Sequence, residues 1–193
     1  MTGSNDNNPS NDYRHNRREY AADGLRRAHL DDDPVEQFAL WLADADRAGV
    51  VDVTAMTLAT VGQASEGDPQ PNARIVLLKH FDQDGFVWYT DYTSRKGEEL
   101  AQHARAALLF HWREMDRQVR IVGRVSKIED AASAAYFASR PLDSQRSAAA
   151  SNQSQPINSR AALEAQVSEL TDVTRPARWG GHRLVPEQVE FWH

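Results

Sequence analysis

The stretch "ARIVLLKHFDQDGFVWYTDYTSRKGEEL", residues 73–100, contains two predicted β-strands, the turn that joins them and the start of a helix. Residues 73–82 and 85–92 are rich in β-branched and aromatic side chains, which favour strands. The segment Asp82–Gly85 between them is typical of a short hairpin loop. Ser94 then stands where a helix N-cap is expected. This order predicts paired antiparallel strands followed by a helix.

Two cations occupy the first turn of that helix, where the helix dipole favours anions. Arg95 and Lys96 are unfavourable at these positions unless a negative group lies between them. The free N–H groups of the helix N-terminus, the Ser94 hydroxyl and the two cations together favour a bound phosphate monoester. The alternative is an ordinary exposed helix start whose cations are solvated.

Further strands and helices are predicted on both sides of this stretch. Asp33 and Pro34 are typical of the N-cap and first residue of a helix, which ends near Gly49. Strands are predicted over 55–61, 105–112 and 117–128, helices over 94–103, 129–141 and 159–171, and one or two strands after residue 178. Because the strands cluster without alternating with helices, we expect a mainly β, α+β fold: a small antiparallel barrel with peripheral helices.

Composition limits the possible functions. The 193 residues suffice for one domain with a substantial core, and we expect a flexible polar and basic arm over 1–33 and a single domain over 34–193. The net charge of −6 argues against nonspecific nucleic-acid binding. The absence of cysteine excludes disulfides and zinc–cysteine sites, and the seven histidines lack ligand spacing, so no metal is predicted. No apolar run reaches the ~20 residues of a membrane span, and we expect a cytoplasmic protein without membrane partners.

Polar side chains on the predicted strands are candidates for ligand contacts. Arg74 and Lys79 bracket "IVLL", and strand alternation places them on opposite faces, so one of the two should point to the barrel side or a subunit interface. Gln118, at the start of a strand, could hydrogen-bond the polar edge of a heterocycle. An edge strand with solvated ends would show the same pattern. The sequence contains no glycine-rich phosphate loop, no GxSxG and no HExxH.

The order of the motifs resembles the pyridoxine/pyridoxamine 5′-phosphate oxidase family. The stretches "RREYAADGLRR", "ARIVLLKHFDQDGFVWYTDYTSRKGEEL", "RQVRIVGRVSKI", "YFASRPLDSQ" and "WGGHRLVPEQVEFW" occur in the family's order from about Arg17 to Trp192. The resemblance implies an FMN-binding split barrel, usually a homodimer with flavin sites at the subunit interface. It also implies oxidation of pyridoxamine or pyridoxine 5′-phosphate to pyridoxal 5′-phosphate, with O2 as electron acceptor and hydrogen peroxide released. Since the flavin would carry out the redox step, no acid–base residue is assigned.

The same resemblance implies which residues contact each ligand. FMN would be held by Arg74, Ile75, Val76, Leu77, Leu78, Lys79, Tyr89, Thr90, Arg95, Lys96, Gln118, Gln153, Ser154 and Trp192. The substrate would contact Lys79, Tyr136, Arg140 and Ser144, and Arg17, Arg18, Glu19 and Tyr20 would form a lid. The anion at the helix N-terminus would then be the FMN phosphate, bound by Arg95 and Lys96.

The sequence departs from the family pattern at three places. The chain stops at His193 without the family's basic R-x-H-x-R segment, and the linker over 171–181 is shorter than usual. Ser147 and Ala149 stand where the family usually has glycine and tryptophan, so we expect an altered loop before Gln153. These departures favour one alternative, a non-catalytic module that binds FMN or pyridoxal phosphate. A further alternative, a related flavin or deazaflavin reductase, is disfavoured by the Tyr136–Arg140–Ser144 match.

Overall fold

A computed structural model of the chain describes residues 24–64 and 67–193. Seven strands in these ranges form one antiparallel sheet: β1 (Ala55–Gln63), β2 (Pro69–Leu77), β3 (His80–Asp82), β4 (Gly85–Asp91), β5 (Arg105–Trp112), β6 (Arg117–Lys127) and β7 (Trp179–Trp192). Five α-helices surround it: α1 (Pro34–Arg47), α2 (Arg95–Gln102), α3 (Asp130–Ser139), α4 (Leu142–Ala150) and α5 (Arg160–Glu169). Two single 3-10 turns lie at Arg27–His29 and Arg113–Met115. No helix in the described ranges is long and apolar enough to cross a membrane.

The sheet order β2-β1-β5-β6-β7-β4-β3 leaves the barrel unclosed. Its two outermost strands, β2 and β3, follow each other in the chain, so the sheet must curl until its edges approach. At the junction the Leu78 amide donates to the Thr54 carbonyl oxygen at 2.9 Å, and the Lys79 amide donates to the Val87 carbonyl oxygen at 2.9 Å. The predicted α+β split barrel with peripheral helices is confirmed in this architecture.

The core lies inside the curled sheet and includes buried side chains of α1. Phe38 of α1 is fully buried, and its ring centroid lies 4.9–5.0 Å from the rings of Phe81, Phe86 and Phe110. The predicted start of this helix is confirmed, because the Asp33 carboxylate accepts the Val35 amide at 2.8 Å and proline occupies the first turn. Full burial of one such aromatic side chain stabilises the fold by roughly 1.5–3 kcal/mol.

Several predicted boundaries are confirmed and two are wrong. The hairpin between β3 and β4 turns through two residues, and Gly85 is required there because a Cβ would lie 2.1 Å from the Leu184 carbonyl oxygen. The single strand predicted over 73–82 is instead β2, which starts at Pro69, and β3, with the barrel corner between them. The predicted loop containing Ser147 and Ala149 is α4, a helix with no fully buried residue of its own.

Candidate active site

The N-terminus of α2 meets the segment that follows α4. Lys96 donates from Nζ to Ser94 Oγ and to Gln153 Oε1, both at 2.8 Å. The Arg95 amide donates to Ser154 Oγ at 3.2 Å. Ser94 is the N-cap residue, but its hydroxyl donates to the Asp91 carbonyl oxygen at 2.6 Å and makes no side-chain cap. The two predicted cations therefore lie at the helix N-terminus with Gln153 and Ser154 beside them, whereas the buried Ser94 hydroxyl donates to its own chain and is not a free donor for an anion.

Two buried carboxylates near this cluster are each paired with an arginine. Asp91 accepts the Thr93 amide at 2.7 Å on Oδ1 and Arg178 Nε at 2.9 Å on Oδ2. Glu99 accepts Arg74 Nη2 at 3.0 Å and also bonds two neutral side chains, Asn72 and Thr60. Within the described residues neither Arg95 nor Lys96 has a carboxylate partner. These two cations are therefore available to an external anion.

The charged form of Lys96 is disfavoured by its surroundings. Burial, followed by the positive charge of Arg74, lowers its pKa to about 8, against the opposing effects of Asp91 and Glu99. A desolvated ammonium group gains more from a nearby anion than a solvated one does. The site therefore favours a ligand with a negative group at this point.

A cavity of about 840 Å³ opens beside Lys96, between β2, β4 and helices α3–α5. Its volume lies within the roughly 300–1,000 Å³ of small-molecule sites. The predicted site residues that line it are Ile75, Val76, Leu77, Lys79, Tyr89, Thr90, Lys96, Tyr136, Arg140, Ser144 and Gln153. A neighbouring cavity of about 440 Å³ is lined by Arg74, Arg95, Lys96 and Ser154 together with Asn72 and Ala73. Lys96 lies at the boundary of the two cavities.

One wall of the larger cavity is aromatic and ends in an unsatisfied cation. Tyr89 and Tyr136 stack with ring centroids 3.9 Å apart, and Trp179 lies 5.4 Å from Tyr89 in a nearly parallel plane. The Arg140 guanidinium lies over Trp179 at 4.8 Å, and its buried Nη1 has no hydrogen-bond partner in the described part of the chain. Burial lowers the pKa of Arg140 and raises the pKa values of both tyrosines. Because a buried unpaired donor costs about 1–3 kcal/mol, the arrangement suits a ligand anion at Arg140.

Three further predicted site residues, Leu78, Gln118 and Trp192, do not line this cavity within one chain. The Leu78 side chain packs in the core. Gln118 and Trp192 face each other in the β6–β7 pair, where the structure leaves Trp192 46% exposed. Arg17, Arg18, Glu19 and Tyr20 lie outside the described residues.

Sequence reasoning missed three residues that shape the site: Asp91, Arg178 and Trp179. Trp179 and Asp91 line the cavity, and Asp91 also forms an ion pair with Arg178. The "WGG" motif marked the position of Trp179, although nothing local indicated that the ring faces a cavity. No cluster of three or more His, Asp or Glu side chains in the described ranges could hold a metal ion.

Comparison with known proteins identifies relatives over nearly the whole chain. The family model for pyridoxamine 5′-phosphate oxidase matches residues 42–174. Pyridoxine/pyridoxamine 5′-phosphate oxidase 1 of Hydrogenovibrio crunogenus is 49% identical over 189 residues, which cover 95% of this chain and 86% of the relative. The pyridoxine/pyridoxamine 5′-phosphate oxidase of Thermosynechococcus vestitus is 50% identical over 181 residues, covering 91% of this chain and 84% of the relative.

Solved structures show the same fold. PhzG from Burkholderia lata 383, crystallised with tetrahydrophenazine-1-carboxylic acid, is 32% identical with a TM-score of 0.81, covering 90% of this chain and 87% of that chain. A pyridoxamine 5′-phosphate oxidase-related, FMN-binding protein from Nostoc punctiforme is 19% identical with a TM-score of 0.65, covering 84% and 86%. At that identity the second likeness speaks for the fold alone.

Proposed function

The chain belongs to the pyridoxamine 5′-phosphate oxidase family, and from this membership we propose how its own residues serve the family's reaction. It is an FMN-dependent oxidoreductase that converts pyridoxamine or pyridoxine 5′-phosphate to pyridoxal 5′-phosphate. When bound, FMN supplies the redox chemistry by accepting two electrons from the substrate. The non-catalytic and reductase alternatives are not favoured by relatives of this identity.

The observation that carries the site assignment is the pair of separate cation positions around one cavity. Lys96 lies at one boundary and Arg140 on the aromatic wall, and both line the same space. FMN and the substrate each carry one phosphate and one flat ring, so a site for both must provide two anion positions. The cavity with its adjoining pocket meets this requirement.

The FMN phosphate is assigned to the α2 N-terminus. Arg95 and Lys96 provide two positive charges, which balance a phosphate monoester that is nearly dianionic at neutral pH. A helix N-terminus also offers backbone N–H donors to an anion, and here the Arg95 amide donates to Ser154 Oγ. Ser154 contacts the Arg95 amide and lines the smaller pocket, so its hydroxyl is placed to join them.

The flavin ring is assigned to the edge of β2 that no other strand of the described residues covers. Because β2 is the last strand in the sheet order, half of its N–H and C=O groups point away from β1 and can bond the polar edge of the ring. Ile75 and Leu77 are 64% and 43% exposed, which leaves an apolar surface for the ring beside those groups. Thr90 and Gln153, which lie 3.3 Å apart through Oγ1 and Oε1, close the cavity side.

The substrate is assigned to the wall formed by α3 and α4. Arg140 donates to the substrate phosphate through its unsatisfied Nη1, and the Ser144 hydroxyl lies on the same wall. Tyr136 provides a flat surface for the pyridine ring, and Lys79 also lines the cavity. These contacts would position the substrate carbon that is oxidised, without acid–base assistance from a side chain.

We further propose that the active form is a homodimer and that O2 accepts the electrons. Gln118 and Trp192 lie side by side on β6 and β7, away from their own chain's cavity. The flavin ring assigned to exposed Ile75 and Leu77 would lie at the surface of its own chain, where a second copy can cover it. A two-fold contact in which each subunit offers Gln118 and Trp192 to the other's flavin accounts for both observations. The lid over residues 17–20 and the cytoplasmic location stay predictions.

The decisive test is an anaerobic spectrum of the FMN-reconstituted protein before and after addition of pyridoxamine 5′-phosphate. We expect bleaching of the flavin absorption band. Pyridoxamine without its phosphate is the matched control, and it should reduce the flavin far more slowly because Arg140 then has no anion to bind. A flavin band that persists with the phosphorylated substrate would contradict the oxidase assignment.

A further inference from the structure

The guanidinium of Arg178, one residue before β7, connects three distant parts of the chain. Its Nε donates to Asp91 Oδ2 at 2.9 Å. Its Nη2 donates to the carbonyl oxygens of Ala149 and Ser151, both at 2.9 Å, and more weakly to that of Ala148 at 3.4 Å. The side chain is 24% exposed and lines neither cavity of the site.

Each partner of Arg178 leads directly to a residue of the proposed flavin site. Asp91 accepts the amide and the hydroxyl of Thr93, both at 2.7 Å, and so fixes the turn from which α2 and Lys96 begin. Ser151 is followed within three residues by Gln153 and Ser154, which contact Lys96 Nζ and the Arg95 amide. Arg178 therefore sets the separation between the α2 N-terminus and the end of α4.

The chemistry of these partners requires an arginine. Asp91 is 1% exposed, and a buried carboxylate needs a paired cation. The last carbonyl groups of α4 lack intrahelical partners and attract positive charge. Only a guanidinium can reach a carboxylate with one nitrogen and several carbonyl oxygens with another, since the lysine ammonium is a single point.

We propose that Arg178 is a positioning residue for FMN, holding the α2 N-terminus and the 151–154 segment at the spacing that the ligand needs. The identity of the ligand rests on the proposed function. Without Arg178, Asp91 would lose its cation and the end of α4 its anchor, so Gln153 and Ser154 would no longer be held against Lys96 and Arg95. FMN would then have to order both segments on binding, which weakens its affinity.

The test compares Arg178→Gln and Arg178→Lys with the matched control Arg183→Gln. Arg183 is on β7 with a side chain 26% exposed, pairs with Asp82 at 2.8 Å and does not line the cavity. FMN is titrated into each apoprotein to give Kd, the apoprotein Tm is recorded, and amide hydrogen exchange is followed over residues 148–154. We expect Kd to rise at least tenfold for Arg178→Gln and severalfold for Arg178→Lys, with faster exchange in 148–154. Arg183→Gln should keep Kd within twofold of the wild type whatever its Tm.

The outcomes separate this inference from the proposed function. A wild-type protein that binds no FMN, or whose bound flavin pyridoxamine 5′-phosphate does not reduce, would overturn the proposed function itself. Suppose that the wild type passes both tests but the Arg178 variants bind FMN with the same Kd as Arg183→Gln. That result would overturn the positioning role alone, because a residue whose loss lowers stability but not affinity is merely structural. If Arg178→Gln does not fold, the FMN Kd of Arg178→Lys is compared with the wild type instead. A Kd equal to that of the wild type would overturn the inference.

Discussion

The affinity of the protein for FMN should fall as the pH rises from 7 to 9, because Lys96 loses its proton over this range. In the ligand-free protein burial and the Arg74 charge lower the pKa of Lys96 to about 8. A phosphate beside Lys96 favours the charged ammonium and raises that pKa again. The protein with a protonated Lys96 therefore binds FMN more tightly than the protein with a neutral Lys96. Raising the pH lowers the fraction of the protonated form.

The size of the effect follows from the two protonation states. With a pKa of about 8, Lys96 is charged in about nine-tenths of the free protein at pH 7 and in about one-tenth at pH 9, so Kd should rise about tenfold. The FMN phosphate does not contribute, since its second pKa is about 6. Burial raises the pKa values of Tyr89 and Tyr136 and lowers that of His182 to about 4, so none of the three changes charge in this window.

The assay is a titration of the apoprotein with FMN, followed by flavin fluorescence at pH 7, 8 and 9 and constant ionic strength. Lys96→Arg is the matched control, because a guanidinium keeps its charge throughout and its Kd should stay flat. Riboflavin, which lacks the phosphate, should bind the wild type without the pH slope. A flat wild-type Kd, or the same slope in Lys96→Arg, would refute the reasoning.

Three further substitutions test the site and the core. Arg140→Gln should raise the KM for pyridoxamine 5′-phosphate by roughly 10- to 100-fold, as expected for a lost charged hydrogen bond, and should leave the FMN Kd unchanged. Steady-state kinetics measures this KM, and an unaltered value would contradict the assignment of Arg140. Glu99→Gln should lower the free energy of unfolding by about 3 kcal/mol in urea denaturation, because Arg74 keeps its charge without a carboxylate. Phe38→Ala should cost about 3–5 kcal/mol in the same assay, and a loss below 1 kcal/mol would contradict its central place in the core.

Local signals predicted most of the fold. The N-cap at Asp33 and the hairpin before Gly85 are decided by neighbouring residues, and both are confirmed. The barrel corner at Leu78 and Lys79 was missed because side-chain alternation continues through it, while the Leu78 amide at the corner bonds Thr54 in a different part of the chain. The helix α4 was missed for a similar reason. It buries no residue fully, and its end is held by Arg178 from a distant segment.

The candidate site also contains residues that local signals predict and residues that depend on contacts between distant parts of the chain. The pair Arg95–Lys96 could be predicted from physics, since cations at a helix start are unfavourable without an anion. Tyr136 and Arg140 were assigned by resemblance alone, because a helical tyrosine or arginine has no local feature that distinguishes a ligand contact from a solvated side chain. Asp91 and Arg178 were not predicted by either route. Their contact joins positions 87 residues apart, and no pattern in one sequence encodes such a pairing.

The pairing of the two buried carboxylates explains how an anion site can exist beside them. Without partners, Asp91 and Glu99 would repel a phosphate at the α2 N-terminus and would compete with it for Arg95 and Lys96. Each instead has its own guanidinium, from Arg178 and Arg74 respectively. Among the described residues, the cations left without a carboxylate partner at this helix start are Arg95 and Lys96, and the acidic side chain of the first turn, Glu98, is exposed. Selectivity for a phosphate monoester therefore depends as much on the arginines that neutralise the buried carboxylates as on the cations that contact the ligand.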